Sequence, residues 1–142
     1  MKGMFLKCNR FYFRDTERST RPAGIGGIEI QLDKKKFAKC IVILACIEKG
    51  DAEKDIEECA KRFVDLDELK FYRGKKIIVA PFVHLSNKIG NPENAKRLCE
   101  HLRDILEEEG YNVGYVTFGT QYAPSCSRLS ISLSSLSMVL HI

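Results

Sequence analysis

Three histidines and six cysteines are the side chains in this 142-residue sequence best suited to move protons, attack carbonyls or hold metals. His84 is the most suggestive. It follows the apolar run Ile77-Ile78-Val79-Ala80, closed by Pro81, and the end of a rigid strand is where scaffolded sites tend to be placed. An ordinary imidazole titrates at about 6.5, so such a residue can exchange a proton near neutrality. The plainer alternative is a structural histidine at a strand exit. His101 lies between Glu100 and Leu102 in a helical pattern and is expected to face solvent; His141 is one residue from the end. Cys8, Cys40, Cys46, Cys59, Cys99 and Cys126 form no C-x-x-C pair, and no histidine completes a zinc spacing. They are expected to be reduced, mostly buried thiols, with no metal and no cofactor. Nothing local specifies a Cys–His nucleophile pair.

The surrounding pattern supplies elements to hold these residues. Lys2 to Phe13 reads as a strand, and Arg14 to Gly27 as a polar connection rich in glycine. Its Gly24-Ile25-Gly26-Gly27 is a phosphate-loop lookalike, but no helical pattern follows, so the anion-binding helix terminus is missing. Gly27 to Leu32 alternates like a half-buried strand, and Lys34-Lys35-Lys36 reads as a turn. Phe37 to Glu48 holds the longest apolar run and predicts a central strand covered on both faces. Asp51 is a candidate cap for a helix with the stripe Ile56, Cys59, Ala60, Phe63 and Val64. Its carboxylates Glu53, Asp55, Glu57 and Glu58 suit the positive end of the helix dipole and read as a solvated face, not an acid–base pair.

Lys75 to Phe82 is a second central strand ended by Pro81, with Phe82 to Ser86 as its exit. Asn91-Pro92 opens a helix with the stripe Ala95, Leu98, Cys99, Leu102, Ile105 and Leu106, stopped by Gly110. Asn112 to Phe118 is a further strand. Ser125 to Ser137 holds seven serines in alternation with leucine and isoleucine and suggests one more. The fold class is α/β (α+β): a mixed β-sheet backed by two helices, in a single domain over 1–142.

The apolar content of 44% and charged content of 30% are those of a globular chain. The apolar run Ile41–Ile47 is far short of the roughly 20 residues a membrane span needs, and the first residues do not read as a signal peptide. A cytoplasmic location and no membrane partner are expected. Charge is uneven. Residues 1–39 hold ten Lys or Arg against four Asp or Glu, a net +6, and the remainder thirteen against fifteen, a net −2. The basic third could face nucleic acid, but charge alone favours a solvated hairpin.

Three linked motifs carry a resemblance. Pro81-Phe82-Val83-His84-Leu85-Ser86, then Gly110-Tyr111-Asn112-Val113, then Thr117-Phe118-Gly119 occur in order. They resemble the amino-terminal editing domain of archaeal-type threonyl-tRNA synthetases over about residues 1–124, leaving 125–142 as a divergent serine-rich tail. The resemblance implies a D-aminoacyl-tRNA deacylase-like fold, a homodimer, and hydrolysis of the ester joining serine to threonine tRNA. The partners it implies are the aminoacylated 3′ end of tRNA and, where the ligase sits on another chain, a separate synthetase. It casts His84 as the pocket histidine, Val83 as a wall residue larger than the family's alanine, Ser86 as a substrate contact, and Phe118 and Gly119 as further wall.

The departures fall just beyond. The family's catalytic lysine follows two aromatic residues after Phe-Gly; here the stretch is Thr120-Gln121-Tyr122-Ala123. Tyr122 takes the lysine's place and Gln121 that of the second aromatic residue. A phenol cannot replace an ammonium as a charge stabiliser but can donate a hydrogen bond. Lys7, on the first strand, is a candidate for the missing charge. Three readings follow: an aminoacyl-tRNA deacylase with His84, Tyr122 and Lys7 at its centre, a catalytically decayed module that binds tRNA or docks on a synthetase, or a fragment of a longer synthetase.

Overall fold

The two apolar runs, Ile41–Ile47 and Ile77–Ala80, lie side by side and organise everything around them. The computed structural model describes residues 1–17, 35–67, 75–116, 121–129 and 139–141, with side chains within 1–8, 11, 39–67 and 75–116. Its elements are β1 (Lys2–Glu17), β2 (Lys35–Cys46), α1 (Glu53–Leu66), β3 (Lys76–Pro81), α2 (Pro92–Glu108), β4 (Asn112–Tyr115), β5 (Gln121–Leu129) and β6 (Val139–His141). The strands form one mixed sheet in the order β4-β3-β2-β1-β5, with β6 beside the first residues of β1. β2, β3 and β4 run parallel, whereas β1 is antiparallel to β2, β5 and β6. The expected mixed sheet with two helices is therefore observed.

Both central strands are covered on both faces. Ile41, Ile43, Ala45 and Ile47 of the β2 run, with Ile77 and Val79 of β3, meet Ile56, Cys59, Ala60 and Phe63 of α1 and Leu98, Cys99, Leu102 and Leu106 of α2. The two helices thus share one side of the sheet. The alternate residues Cys40, Val42, Leu44, Ile78 and Ala80 join Cys8, Phe11 and Val116 in a second cluster on the opposite side. Burying each such Leu or Ile side chain stabilises the fold by about 1.5–3 kcal/mol. The Phe63 ring meets both Phe5 and Tyr111 in T-shaped contacts with centroids 5.3 Å apart. The Tyr111 hydroxyl donates to Asp67 at 2.8 Å, which satisfies a buried carboxylate at the end of α1.

Asn91 caps α2 as its sequence predicts, accepting from the Glu93 and Asn94 amides. Gly110, at φ +92°, ends it. There the Gly110 N–H reaches Glu107 O and the Tyr111 N–H reaches Leu106 O, a Schellman closure that needs a left-handed residue.

Three local expectations change. Asp51 does not cap α1. Ala52 takes the cap position, the Asp55 carboxylate accepts its N–H at 2.8 Å, and Asp51 is held by the amino terminus instead. Lys35 and Lys36 are in β2, opposite Phe13 and Tyr12: long-range pairing overrides their local turn preference. The same pairing, with β5 on the other side, carries β1 four residues past Phe13 to Glu17. The strand exit expected at Phe82–Ser86 takes the form of a single 3-10 turn, Val83–Leu85. The expected strand at 27–32 and the glycine segment at 24–27 lie outside the described residues.

Candidate functional site

The carboxyl ends of the parallel strands β2 and β3 converge where the chain leaves β3. In sheets of this kind that end is the usual place for a ligand. Pro81 is paired with Ala45, and the Phe82 N–H donates to Ala45 O at 2.9 Å. Pro81 itself has no donor, and after the Phe82 bond the chain bends into the turn that carries His84. Beyond the turn the chain is stapled back. Lys49 N–H meets Lys88 O at 2.8 Å, Gly90 N–H meets Ile47 O at 3.0 Å, and Glu48 bridges Ile89. A Cβ at Gly90 would stand 3.0 Å from the Glu48 carbonyl oxygen. Glycine is what lets the two backbones meet.

His84 projects from this rigid turn and is exposed. The Phe82 ring meets the imidazole at 5.1 Å in a T-shaped geometry. Val83 is exposed beside it, and Ile89 is exposed across the staple. The surface is thus an imidazole bordered by apolar carbons, suited to hold a water or a polar hydrogen against a partly apolar ligand.

Behind the turn lies a charged network that the sequence analysis did not single out. The Ser86 hydroxyl donates to Glu48 at 2.6 Å and accepts from the Lys88 N–H at 3.1 Å. Glu48 also receives the Met1 ammonium at 3.1 Å and Lys2 Nζ at 3.7 Å. Asp51 accepts the same ammonium at 2.6 Å and the Glu48 N–H at 2.6 Å. The Ser86 hydrogen bond, with the ammonium, holds Glu48 below the ordinary carboxylate range against the opposing effect of burial. Burial works against the ammonium, but Asp51 and Glu48 outweigh it and hold its pKa above the ordinary value. Glu48 is therefore an ionised anchor, not a proton acceptor. Ser86 has its donor committed to that anchor and an acceptor position to the Lys88 N–H. The sequence signal was only that Glu48 closes the longest apolar run; its partners lie 38 and 47 residues away.

The site candidates do not all converge. His84, Val83 and Ser86 share one turn. Lys7 pairs with Ile41 on the helix-facing side of the sheet. Ala45, which holds the turn, pairs with Gly3, so Lys7 stands four residues along β1, about 13 Å at ~3.3 Å per residue. Tyr122 pairs with Asp15 and Gln121 with Glu17, further along β1 in the same direction. The register sets the backbones of Tyr122 and His84 apart rather than together. Phe118 and Gly119 lie outside the described residues. His101, expected in solvent, is instead partly buried, with Nε2 shut off from water and without a hydrogen bond.

With this geometry in view, comparison with known proteins is decisive for the family. Residues 1–139 match the archaea-specific editing domain of threonyl-tRNA synthetase. The chain belongs to that family. The match runs past residue 124 and takes in most of the serine-rich segment. The chain is 30% identical over 121 residues to a threonine–tRNA ligase of Thermofilum pendens, covering 84% of this chain and 19% of the ligase. It is 25% identical over 134 residues to a threonine–tRNA ligase editing subunit of Saccharolobus solfataricus, covering 94% of this chain and 33% of that subunit. The chain thus spans a third or less of these relatives. Two solved structures share the editing-domain fold. One is a c-Myc DNA unwinding element binding protein, with TM-score 0.64 and 16% identity over 89% of this chain and 91% of the other. The second is a probable eukaryotic D-amino acid tRNA deacylase, with TM-score 0.51 and 9% identity over 89% and 92%. The deacylase-like fold expected from the motifs is thereby established. Among the described residues, no helix is long and apolar enough to cross a membrane.

Proposed function

We propose that this chain is a freestanding editing deacylase that removes serine from threonine tRNA, working in the cytoplasm beside a separate synthetase. The observation that carries the reading is the His84 turn. The family's histidine motif stands at the carboxyl ends of two buried parallel strands, on a backbone fixed by three hydrogen bonds to β2 and its extension. Serine lacks only a methyl group relative to threonine, which discriminates by about 1–3 kcal/mol, so a second hydrolytic site answers a physical need. In this reading the imidazole of His84 orients a water toward the ester carbonyl. Water adds at that carbon, the carbon–oxygen bond to the terminal ribose breaks, and the ribose hydroxyl leaves with a proton. Val83 borders the amino-acid side. A homodimer completes the proposed assembly.

The test is deacylation of seryl-tRNA for threonine, with threonyl-tRNA and D-aminoacyl-tRNAs alongside. The expected result is selective loss of the seryl ester, with the rate falling about 100-fold in His84→Ala, the scale of a positioned acid–base group. Hydrolysis no faster than the spontaneous reaction for every substrate would reject it.

A second reading has its own support: Tyr122 stands where the family places a lysine, and its backbone lies far along β1 from His84. The chain would then bind the tRNA end, or dock on a synthetase, without cleaving the ester. Tight binding of aminoacylated tRNA with an unhydrolysed ester distinguishes this reading from the first.

A further inference from the structure

The helix layer holds a group of metal-ligating side chains that editing does not use. Glu53 and Glu57 stand one turn apart on α1, and His101 faces them from α2, with one ligand atom of each within 4.8 Å of the others. His101 Nε2 lies 3.9 Å from Glu57 Oε1. That nitrogen is closed to solvent and has no hydrogen-bond partner. A buried polar atom without a partner calls for an explanation, and a missing ion is one of the standard ones.

The scaffold holds the three donors in place. Arg97 pairs with Glu53 and His101 with Glu57 at the same sequence offset, so the helices run parallel and in register here. Leu98, Leu102, Ile56 and Cys59 are buried beneath this seam and fix the helix separation. Arg97 occupies one oxygen of Glu53, but that ion pair is exposed on both sides, and water-screened pairs of this kind yield readily.

We propose that Glu53, Glu57 and His101 form a binding site for a divalent first-row transition cation, with zinc the prime candidate. One imidazole and two carboxylates are borderline-to-hard donors that suit zinc, with water as the fourth ligand. Zinc takes such ligands at about 2.0–2.2 Å, which places tetrahedral donors about 3.4 Å apart. Binding would draw the donors, now within 4.8 Å of one another, to that spacing. The bound ion would tie α1 to α2. It would also neutralise two carboxylates near the start of α1, one turn from the Asp51 and Asn94 contact that leads to the Glu48 network. This site is independent of the deacylation reading.

The experiment titrates the chelator-treated full chain with zinc chloride alone, by calorimetry, and with cobalt chloride alone, by absorption. One equivalent is expected to bind. Cobalt should give a d–d spectrum with no thiolate charge-transfer band, which separates this site from the cysteines. His101→Ala and the milder Glu57→Gln should each weaken binding at least about tenfold, since even outer-shell changes have effects of that size. Circular dichroism of both variants checks the helices. No binding by the parent chain would overturn the proposal and leave a plain histidine–carboxylate pair. Unchanged affinity in both folded variants, or a thiolate band, would also overturn it.

Discussion

Glu48 shows how one side chain can look ordinary in sequence and govern a site in space. It joins the Met1 ammonium, Lys2 and the Ser86 hydroxyl behind the His84 turn. Its folded pKa is depressed from 4.5, so its contribution to stability is complete above that value and is lost as pH falls through the folded pKa. The ammonium behaves oppositely. Its folded pKa is raised from 8.0, so its contribution is complete below that value and is lost as pH rises through the folded pKa. Stability should therefore show a plateau between these limbs. Glu48→Gln is expected to lower the plateau by about 1–3 kcal/mol, the scale of a hydrogen bond to a charged group, and to flatten the acid limb. Thermal melts across pH check this; a variant curve parallel to the parent's would refute it. The cysteines behave differently. Burial pushes the Cys59 and Cys99 thiols up to about 12, which makes them poor nucleophiles and agrees with their packing role.

At the scale of elements, the staple between the β2 extension and the chain after the turn sets the site. Gly90 sits where a Cβ would press on the Glu48 carbonyl at 3.0 Å, a backbone atom that cannot swing aside. Gly90→Ala should destabilise the chain by about 1–3 kcal/mol as the staple opens, and should reduce deacylation because the His84 turn hangs from it. Asn91→Ala, one residue on, removes two cap hydrogen bonds. It should cost about 1 kcal/mol while sparing the turn. Urea melts of the pair, each with a deacylation rate, separate the two. A Gly90→Ala protein that melts and reacts like the parent would show that the staple does not position His84.

The whole molecule is electrically lopsided, with a net +6 over residues 1–39 and −2 over the rest. If the basic third meets the tRNA backbone, binding must weaken with salt through counterion release. The logarithm of the affinity should fall linearly with the logarithm of salt concentration, and replacing Lys2 and Lys7 with Gln should make the slope shallower by up to about 2. Filter-binding or anisotropy titrations at several salt concentrations measure it. A flat response would remove the phosphate contacts from the picture.

By itself the sequence determined the two central strands, both helix stripes, the Asn91 cap, the Gly110 stop and the histidine motif. Each is a local pattern: an apolar run, a period, a side chain within reach of its own backbone. It also placed the chain's resemblance correctly, because Pro81–Ser86 and Gly110–Val113 are contiguous motifs. Only the tertiary structure decided that Asp51 serves the amino terminus rather than the helix, that Lys35 and Lys36 extend a strand, and that Ser86 answers to Glu48. It also set Tyr122 opposite Asp15, far from the histidine whose site it was expected to share. Each of these depends on groups that meet only after the sheet has formed. A strand's register and a buried charge's partner arise from long-range packing, which spacing along the chain does not encode.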